Sequence, residues 1–112
     1  MNTQEFFSSK EEMEKRIEKL NEMKDIFSKS FSELNDYYEY SYYLQKRNLN
    51  FQLNGKDDVE LIQNNMSSLM KRMVDSESYF NDTINRLNNE INSCEEELDE
   101  LIRQEESDSD EK

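Results

Sequence analysis

The chain has 112 residues, with 14 basic and 27 acidic side chains and a formal net charge of −13. This length suits one domain, and a composition with no proline and a single glycine favours long helices over a turn-rich β fold. Histidine is absent and cysteine occurs once, which excludes histidine-dependent catalysis, histidine metal sites and an intramolecular disulfide.

The N-terminal segment, residues 1–8, has neither the basic nor the apolar region of a signal peptide, and no apolar run is long enough to span a membrane. We therefore expect a cytoplasmic protein, with export alongside a partner left open. Ser9 and Glu12 have the spacing of a helix N-terminal capping box. Residues 1–8 are then either a frayed lead-in or two further helical turns begun near Thr3, and the sequence leaves both readings open.

The first half of the chain has apolar residues at alternating spacings of three and four, from Met13 to Tyr38, with a polar interruption at Lys24. This heptad spacing places the apolar side chains on one face of a helix. It predicts a first helix over about residues 9–53. Its expected contacts with a second helix, which we call the hairpin seam, are Ile17, Leu20, Phe27, Phe31 and Leu34.

The predicted turn contains the single glycine, Gly55, preceded by Leu53 and Asn54. Glycine is favoured where a helix ends in a left-handed residue, so we expect the first helix to stop just before Gly55. Asp57 is the expected N-cap of the second helix, with Glu60 three residues later completing a capping box.

The second half repeats the heptad spacing over a helix of about residues 58–104, with a one-residue phase slip between Ser76 and Ile84. The polar segment 105–112 is expected to be a disordered acidic tail. On this helix the predicted seam residues are Phe80, Ile84, Leu87 and Ile91.

The predicted fold class is all-α: a long antiparallel two-helix hairpin, coiled-coil-like, with its turn at Asn54-Gly55. Antiparallel pairing about this turn brings together residues whose numbers add up to about 111. Phe31 should then meet Phe80, and basic residues within 10–29 should lie beside acidic residues within 90–100. The same rule pairs Leu20 with Ile91 and Ile17 with Cys94.

Near the turn, tyrosines and methionines spread beyond the face that one neighbouring helix can cover. Both residue types are common at protein interfaces. We interpret this region as an interface with a partner or a second copy; the alternative is that it is simply core between the two helices. The predicted interface residues are Tyr37, Tyr38, Tyr40, Tyr42, Tyr43, Leu61, Met66, Met70, Met73 and Val74.

The remaining reactive side chains have structural interpretations. Cys94 falls on the seam as a small core residue, and the acidic residues within 95–100 form a solvated helical face without the glycine and ligand spacing of a calcium loop. Asp57 and Asp58 suit helix capping better than acid-base chemistry. We predict no catalytic residues, no cofactor, no metal and no nucleic-acid or membrane partner.

The chain resembles the WXG-type small hairpin proteins of type VII secretion systems, in particular those encoded beside LXG-domain toxins. Leu53-Asn54-Gly55 stands where that family has Trp-x-Gly, and Tyr79 is followed four residues later by Thr83 rather than by the acidic residue of an export motif. This combination fits a companion better than a self-exporting substrate. The resemblance implies that the chain binds the helical LXG region of a toxin, often with a second small hairpin protein, and presents it for secretion.

The sequence therefore predicts a non-catalytic interaction protein, with a targeting companion as the first interpretation. The alternative is a coiled-coil subunit or homodimeric four-helix bundle of a structural or tethering complex.

Overall fold

The computed structural model describes residues 2–50 and 55–110 of the chain, with the side chains of 109 and 110 left aside. It contains two α-helices, α1 (Thr3–Leu49) and α2 (Lys56–Asp110), and no strand within those ranges. The predicted fold class is confirmed, because the two helices pair antiparallel as a helical hairpin. The predicted turn residues Leu53 and Asn54 lie outside the described residues.

The N-terminus of α1 lies at Thr3 and not at residue 9. Of the two interpretations of residues 1–8, the one with two further helical turns begun near Thr3 is therefore correct for the residues described. Asn2 caps the helix: its side-chain Oδ1 accepts a hydrogen bond from the backbone N–H of Glu5 at 2.8 Å. Its carbonyl accepts the first helical bond, from Phe6 at 3.0 Å. An asparagine cap stabilises a helix end better than an uncapped start, and burial of the Phe6 side chain adds to this.

The C-terminus of α1 lies at Leu49, four residues before the predicted end. The backbone N–H of Asn50 donates to the carbonyl of Arg47 at 3.2 Å, a tightened bond three residues back that closes the last turn. Lys46 and Arg47 place positive charge at the negative end of the helix dipole. Gly55 is too far from Leu49 to be the left-handed residue that ends α1, and that prediction is wrong.

Gly55 instead caps the start of α2. Its carbonyl accepts the first helical bond from Val59 at 3.0 Å, and its backbone N–H donates to Oδ2 of Asp58 at 3.4 Å. Asp58 thus makes the return contact of a capping box, at the position three residues after the cap. The prediction that Asp57 is the N-cap is wrong by two positions: Asp57 lies within the first turn, where its charge favours the helix dipole.

The C-terminus of α2 lies at Asp110, so the prediction that residues 105–112 are disordered is wrong up to residue 110. Glutamate and glutamine are good helix formers, and Arg103 pairs with Glu100 one turn earlier at 3.3 Å. Glu105 is half-buried, continuing the seam spacing beyond Leu98 and Leu101. Residues 111 and 112 lie outside the described residues.

Contacts divide the hairpin into two units. The terminal unit contains the described residues up to Ile26 and from Thr83 onwards, and the turn unit contains those from Phe27 to Asp82. Each unit is formed by one segment of α1 and one segment of α2.

The terminal unit contains all four buried residues of the described chain. Leu20, Ile91 and Cys94 form its core cluster, and the predicted pairing of Leu20 with Ile91 is therefore confirmed. Arg16 and Glu90 join the two helices through an ion pair of 2.8 Å. Three partly buried residues pack against the cluster: Met13 and two predicted seam residues, Ile17 and Leu87, of which Ile17 is the predicted neighbour of Cys94.

The basic residues nearest the N-terminus do not all follow the predicted charge pairing across the helices. Lys10 lies 3.9 Å from Glu14 and Lys15 lies 3.1 Å from Glu11, one turn away on their own helix. Such exposed pairs contribute only tenths of a kcal/mol. The register is therefore determined by the apolar contacts and not by these charges.

The turn unit is held by aromatic contacts. The rings of Phe31 and Phe80 are stacked with centroids 4.1 Å apart, as the antiparallel register predicted. Phe27 stacks on Phe80 at 5.5 Å and meets Tyr79 edge-on at 6.0 Å. In the described part of this unit no residue is fully buried.

One predicted seam residue of the turn unit, Leu34, lies off the seam with 41% of its side chain exposed. The next residue, Asn35, is half-buried in its place. Two successive steps of four, from Phe27 to Phe31 to Asn35, shift the seam by one position, because a heptad seam needs a step of three after a step of four. On α2, Thr83 and Ile84 are both half-buried, in keeping with the predicted phase slip.

We expect Phe31→Ala and Phe80→Ala each to lower the free energy of unfolding by about 2 kcal/mol, since both rings are half-buried and stacked. The double variant should be less destabilised than the sum, by about 1 kcal/mol of coupling energy. Urea unfolding followed by circular dichroism measures both quantities. Ile26→Ala, at an exposed site of α1, is the control, and additive effects of the two phenylalanine variants would contradict the stack.

The cap assignment predicts that Asp58→Ala destabilises the protein by about 0.5 kcal/mol more than Asp57→Ala does. Both variants lose one charge in the first turn of α2, but only Asp58 also loses the hydrogen bond from Gly55. Chemical unfolding of the two variants side by side gives the difference. Equal stabilities, or a larger loss for Asp57→Ala, would disprove the assignment.

Candidate partner-binding surface

The large apolar side chains that remain exposed are concentrated in the turn unit. Nine of the twelve in the described chain lie there, whereas the four buried residues all lie in the terminal unit. A concentration of exposed large apolar side chains in one part of a protein is typical of protein interaction sites. The nine residues are Leu34, Tyr37, Tyr40, Tyr43, Leu44, Leu61, Met70, Val74 and Tyr79.

The ten predicted interface residues divide into two groups. Six are exposed: Tyr37, Tyr40, Tyr43, Leu61, Met70 and Val74. Four are half-buried and lie at or next to the seam: Tyr38, Tyr42, Met66 and Met73. The second group therefore contributes to pairing of the two helices as well as to any interface.

Three exposed apolar residues of the turn unit are not among the predicted interface residues, namely Leu34, Leu44 and Tyr79. Leu34 fits the heptad spacing, so periodicity assigned it to the seam. Tyr79 precedes the seam residue Phe80, and its exposure follows from the turn of about 100° between adjacent helical positions.

One side of the turn unit has a groove of about 350 Å³ that combines apolar and acidic side chains; we call it the acidic groove. Glu39 of α1 and Glu77 of α2 both line this groove. The side-chain amide of Asn35 donates a hydrogen bond to Oε1 of Glu39 at 3.2 Å. The full lining is Phe31, Asn35, Glu39, Met70, Met73, Val74 and Glu77.

A second groove of the same unit, about 150 Å³ in volume, has no charged residue in its lining; we call it the serine groove. Ser30 and Ser76 are small, so most of its lining surface comes from Leu34 and the neighbouring aromatic side chains. A groove of this shape can receive a large apolar side chain from another helix. The full lining is Phe27, Ser30, Phe31, Leu34, Ser76, Tyr79 and Phe80.

The two grooves share one lining residue, Phe31. Leu34 lines the serine groove and Asn35 lines the acidic groove, and adjacent helical residues point about 100° apart. The turn unit therefore offers two grooves that open in different directions beside the Phe31–Phe80 stack.

Net charge is unequally distributed between the two units. The segment Phe27–Asp82 carries 6 basic and 9 acidic residues, a net charge of −3, whereas the rest of the chain carries 8 basic and 18 acidic residues, a net charge of −10. The exposed apolar side chains are most frequent in the unit with fewer charged residues, so fewer charged groups have to be desolvated when a partner covers them. This coincidence favours the turn unit as the binding region.

The reactive groups of the terminal unit have structural roles. Cys94 is buried in the core cluster, as predicted. The hydrogen bond with Glu90 raises the pKa of the Arg16 guanidinium above its ordinary value, so Arg16 stays cationic within the ion pair. Within residues 2–50 and 55–110, no group of three or more potential metal ligands comes together, and neither helix has the apolar length that a membrane crossing requires.

Comparison with protein-family models, with curated protein sequences and with solved structures found no match to this chain. Function must therefore be inferred from the surfaces of the two helices.

Filling the serine groove from within should stabilise the isolated hairpin. Ser76 is half-buried beside Phe31 and Phe80, so Ser76→Leu adds apolar contact there, and we expect about 1 kcal/mol of added stability. The measurement is the urea midpoint at unchanged slope. Ser67→Leu, at an exposed position of α2, is the matched control. A stability loss in Ser76→Leu would mean that the groove has no room for the added side chain.

Proposed function

We propose that the protein is a non-catalytic helical hairpin that binds a helical partner protein through its turn unit. The observation that carries this proposal is the coincidence of nine exposed large apolar side chains with a unit that has no fully buried residue in its described part. An amphipathic partner helix would cover such a surface by the helix-in-groove mode.

The energetic argument concerns burial. Each large apolar side chain stabilises a fold by about 1.5–3 kcal/mol when it is fully removed from water, and two helices paired along one seam achieve only part of this. Phe27, Phe31 and Phe80 are only half-buried. A third helix that covered their exposed surface would add the missing part of this burial free energy. Partner binding would thereby stabilise the folded hairpin by mass action.

The more specific proposal is that the partner is the helical LXG domain of a type VII secreted toxin and that the chain acts as its targeting companion. It is supported by the hairpin fold with two helices of similar length and by the resemblance to WXG-type proteins described above. In this function the complex forms in the cytoplasm and is presented to the secretion machinery, and the chain leaves the cell with the toxin or remains behind.

The proposal predicts an LXG-domain gene beside this one and a complex of the two products on co-expression. Val74→Asn should strongly reduce co-purification with the LXG domain while leaving helicity unchanged, because Val74 is 64% exposed and burying an amide without a hydrogen-bond partner is costly. Ile26→Asn makes the same chemical change at a residue 67% exposed in the terminal unit, and should bind normally. Retained binding in Val74→Asn would place the interface elsewhere.

Self-association is the competing outcome. A homodimeric four-helix bundle would give a sharp thermal transition whose midpoint rises with protein concentration. The proposed companion alone should instead unfold at a midpoint that does not depend on protein concentration, and the midpoint should rise when the LXG domain is added. Sedimentation and thermal unfolding over a range of concentrations distinguish the two functions.

A further inference from the structure

We propose that the acidic groove receives a basic amphipathic helix of another protein, with a lysine or arginine of that helix held between Glu39 and Glu77. This inference rests on the proposed function and specifies the chemistry of the partner. The groove is formed within the turn unit by residues of both helices.

The groove combines two kinds of contact that a basic side chain needs. Met70 and Val74 are exposed and offer apolar surface for the methylene stem of a lysine or arginine. Glu39 and Glu77 come from different helices and provide carboxylates for the cationic head. The amide of Asn35 orients the Glu39 carboxylate through one of its oxygens.

The two carboxylates also act against an uncharged partner. A purely apolar helix laid over the groove would remove Glu39 and Glu77 from water without a compensating charge, and such desolvation is unfavourable. A basic side chain offsets this cost. The groove therefore discriminates among amphipathic helices by their charge, because the apolar contacts are the same for all of them.

Charge also argues against a second copy as the occupant. Each copy carries a net charge of −13, and a second turn unit is itself acidic. A basic helix of a different protein experiences attraction from the whole chain and from the groove in particular, and this attraction accelerates association.

The test uses three synthetic peptides of about 21 residues. All three have the same leucine heptad repeat along one helical face. They differ only in the residues on either side of that face, which are lysine, glutamine or glutamate. Each is titrated into the full chain carrying methyl-labelled methionine, below the concentration at which the peptides self-associate. Fluorescence anisotropy gives the Kd. The methyl signals locate the peptide, because Met70 and Met73 line the groove whereas Met13 and Met23 lie in the terminal unit.

We expect the lysine peptide to bind tightest and to shift the methyl signals of Met70 and Met73. The double variant Glu39→Gln/Glu77→Gln should raise its Kd by about fivefold. The control Glu33→Gln/Glu60→Gln removes the same charge from exposed positions of the turn unit outside the groove lining, and should raise the Kd by less than about twofold.

Equal effects of the two double variants would mean general attraction to an acidic protein and would overturn the inference, as would unmoved Met70 and Met73 signals. The same holds if these signals change with protein concentration alone, since a second copy would then cover the groove. A glutamine peptide that binds as tightly as the lysine peptide, and loses binding in Val74→Asn, would overturn the inference while leaving the proposed function intact. Failure of the unmodified chain to form a complex with the LXG domain on co-expression would count against the proposed function alone.

Discussion

In a pair of helices, each helix can bury only one face of the other, and this constraint governs the whole structure. In the terminal unit the apolar stripe is narrow, and Leu20, Ile91 and Cys94 are buried by it. In the turn unit apolar residues occupy several directions around each helix, so one neighbour leaves many of them in water. The Phe31–Phe80 stack fixes the register of that unit but cannot enclose its surroundings. The distribution of exposed side chains is thus a direct result of heptad geometry.

Heptad spacing was sufficient to predict the fold class, the antiparallel register and the aromatic pair at its centre. These features depend on period and on the position of the break, which are properties of the sequence alone. Helix ends were less predictable, because they depend on single hydrogen bonds. Asn2 and Glu5 have the spacing of a capping pair, and this signal would have located the start of α1. Gly55 was assigned to the wrong helix because glycine is accepted both before a first turn and after a last one.

The segment in which exposed apolar side chains concentrate was predictable, but the exposure of each residue was not. The density of tyrosine and methionine identified that segment, yet a list by residue type cannot separate Tyr37, which is exposed, from Tyr38, which is half-buried. That distinction needs the exact phase of the helix, and the phase shifts at Asn35. The same shift moved Leu34 from the seam to the serine groove. That Glu39 and Glu77 of different helices line the same groove required coordinates, since nothing local in the sequence links them.

The position of Cys94 has a practical consequence for studying the hairpin. It is the only thiol in the chain and lies within the core cluster, with 3% of its surface accessible. A thiol-specific reagent can reach it only when the paired helices separate around it, so the labelling rate under native conditions reports how often that opening occurs. No engineered probe is needed, and the same reaction performed with and without a bound protein would reveal whether contact at the turn unit slows the separation of the chain ends.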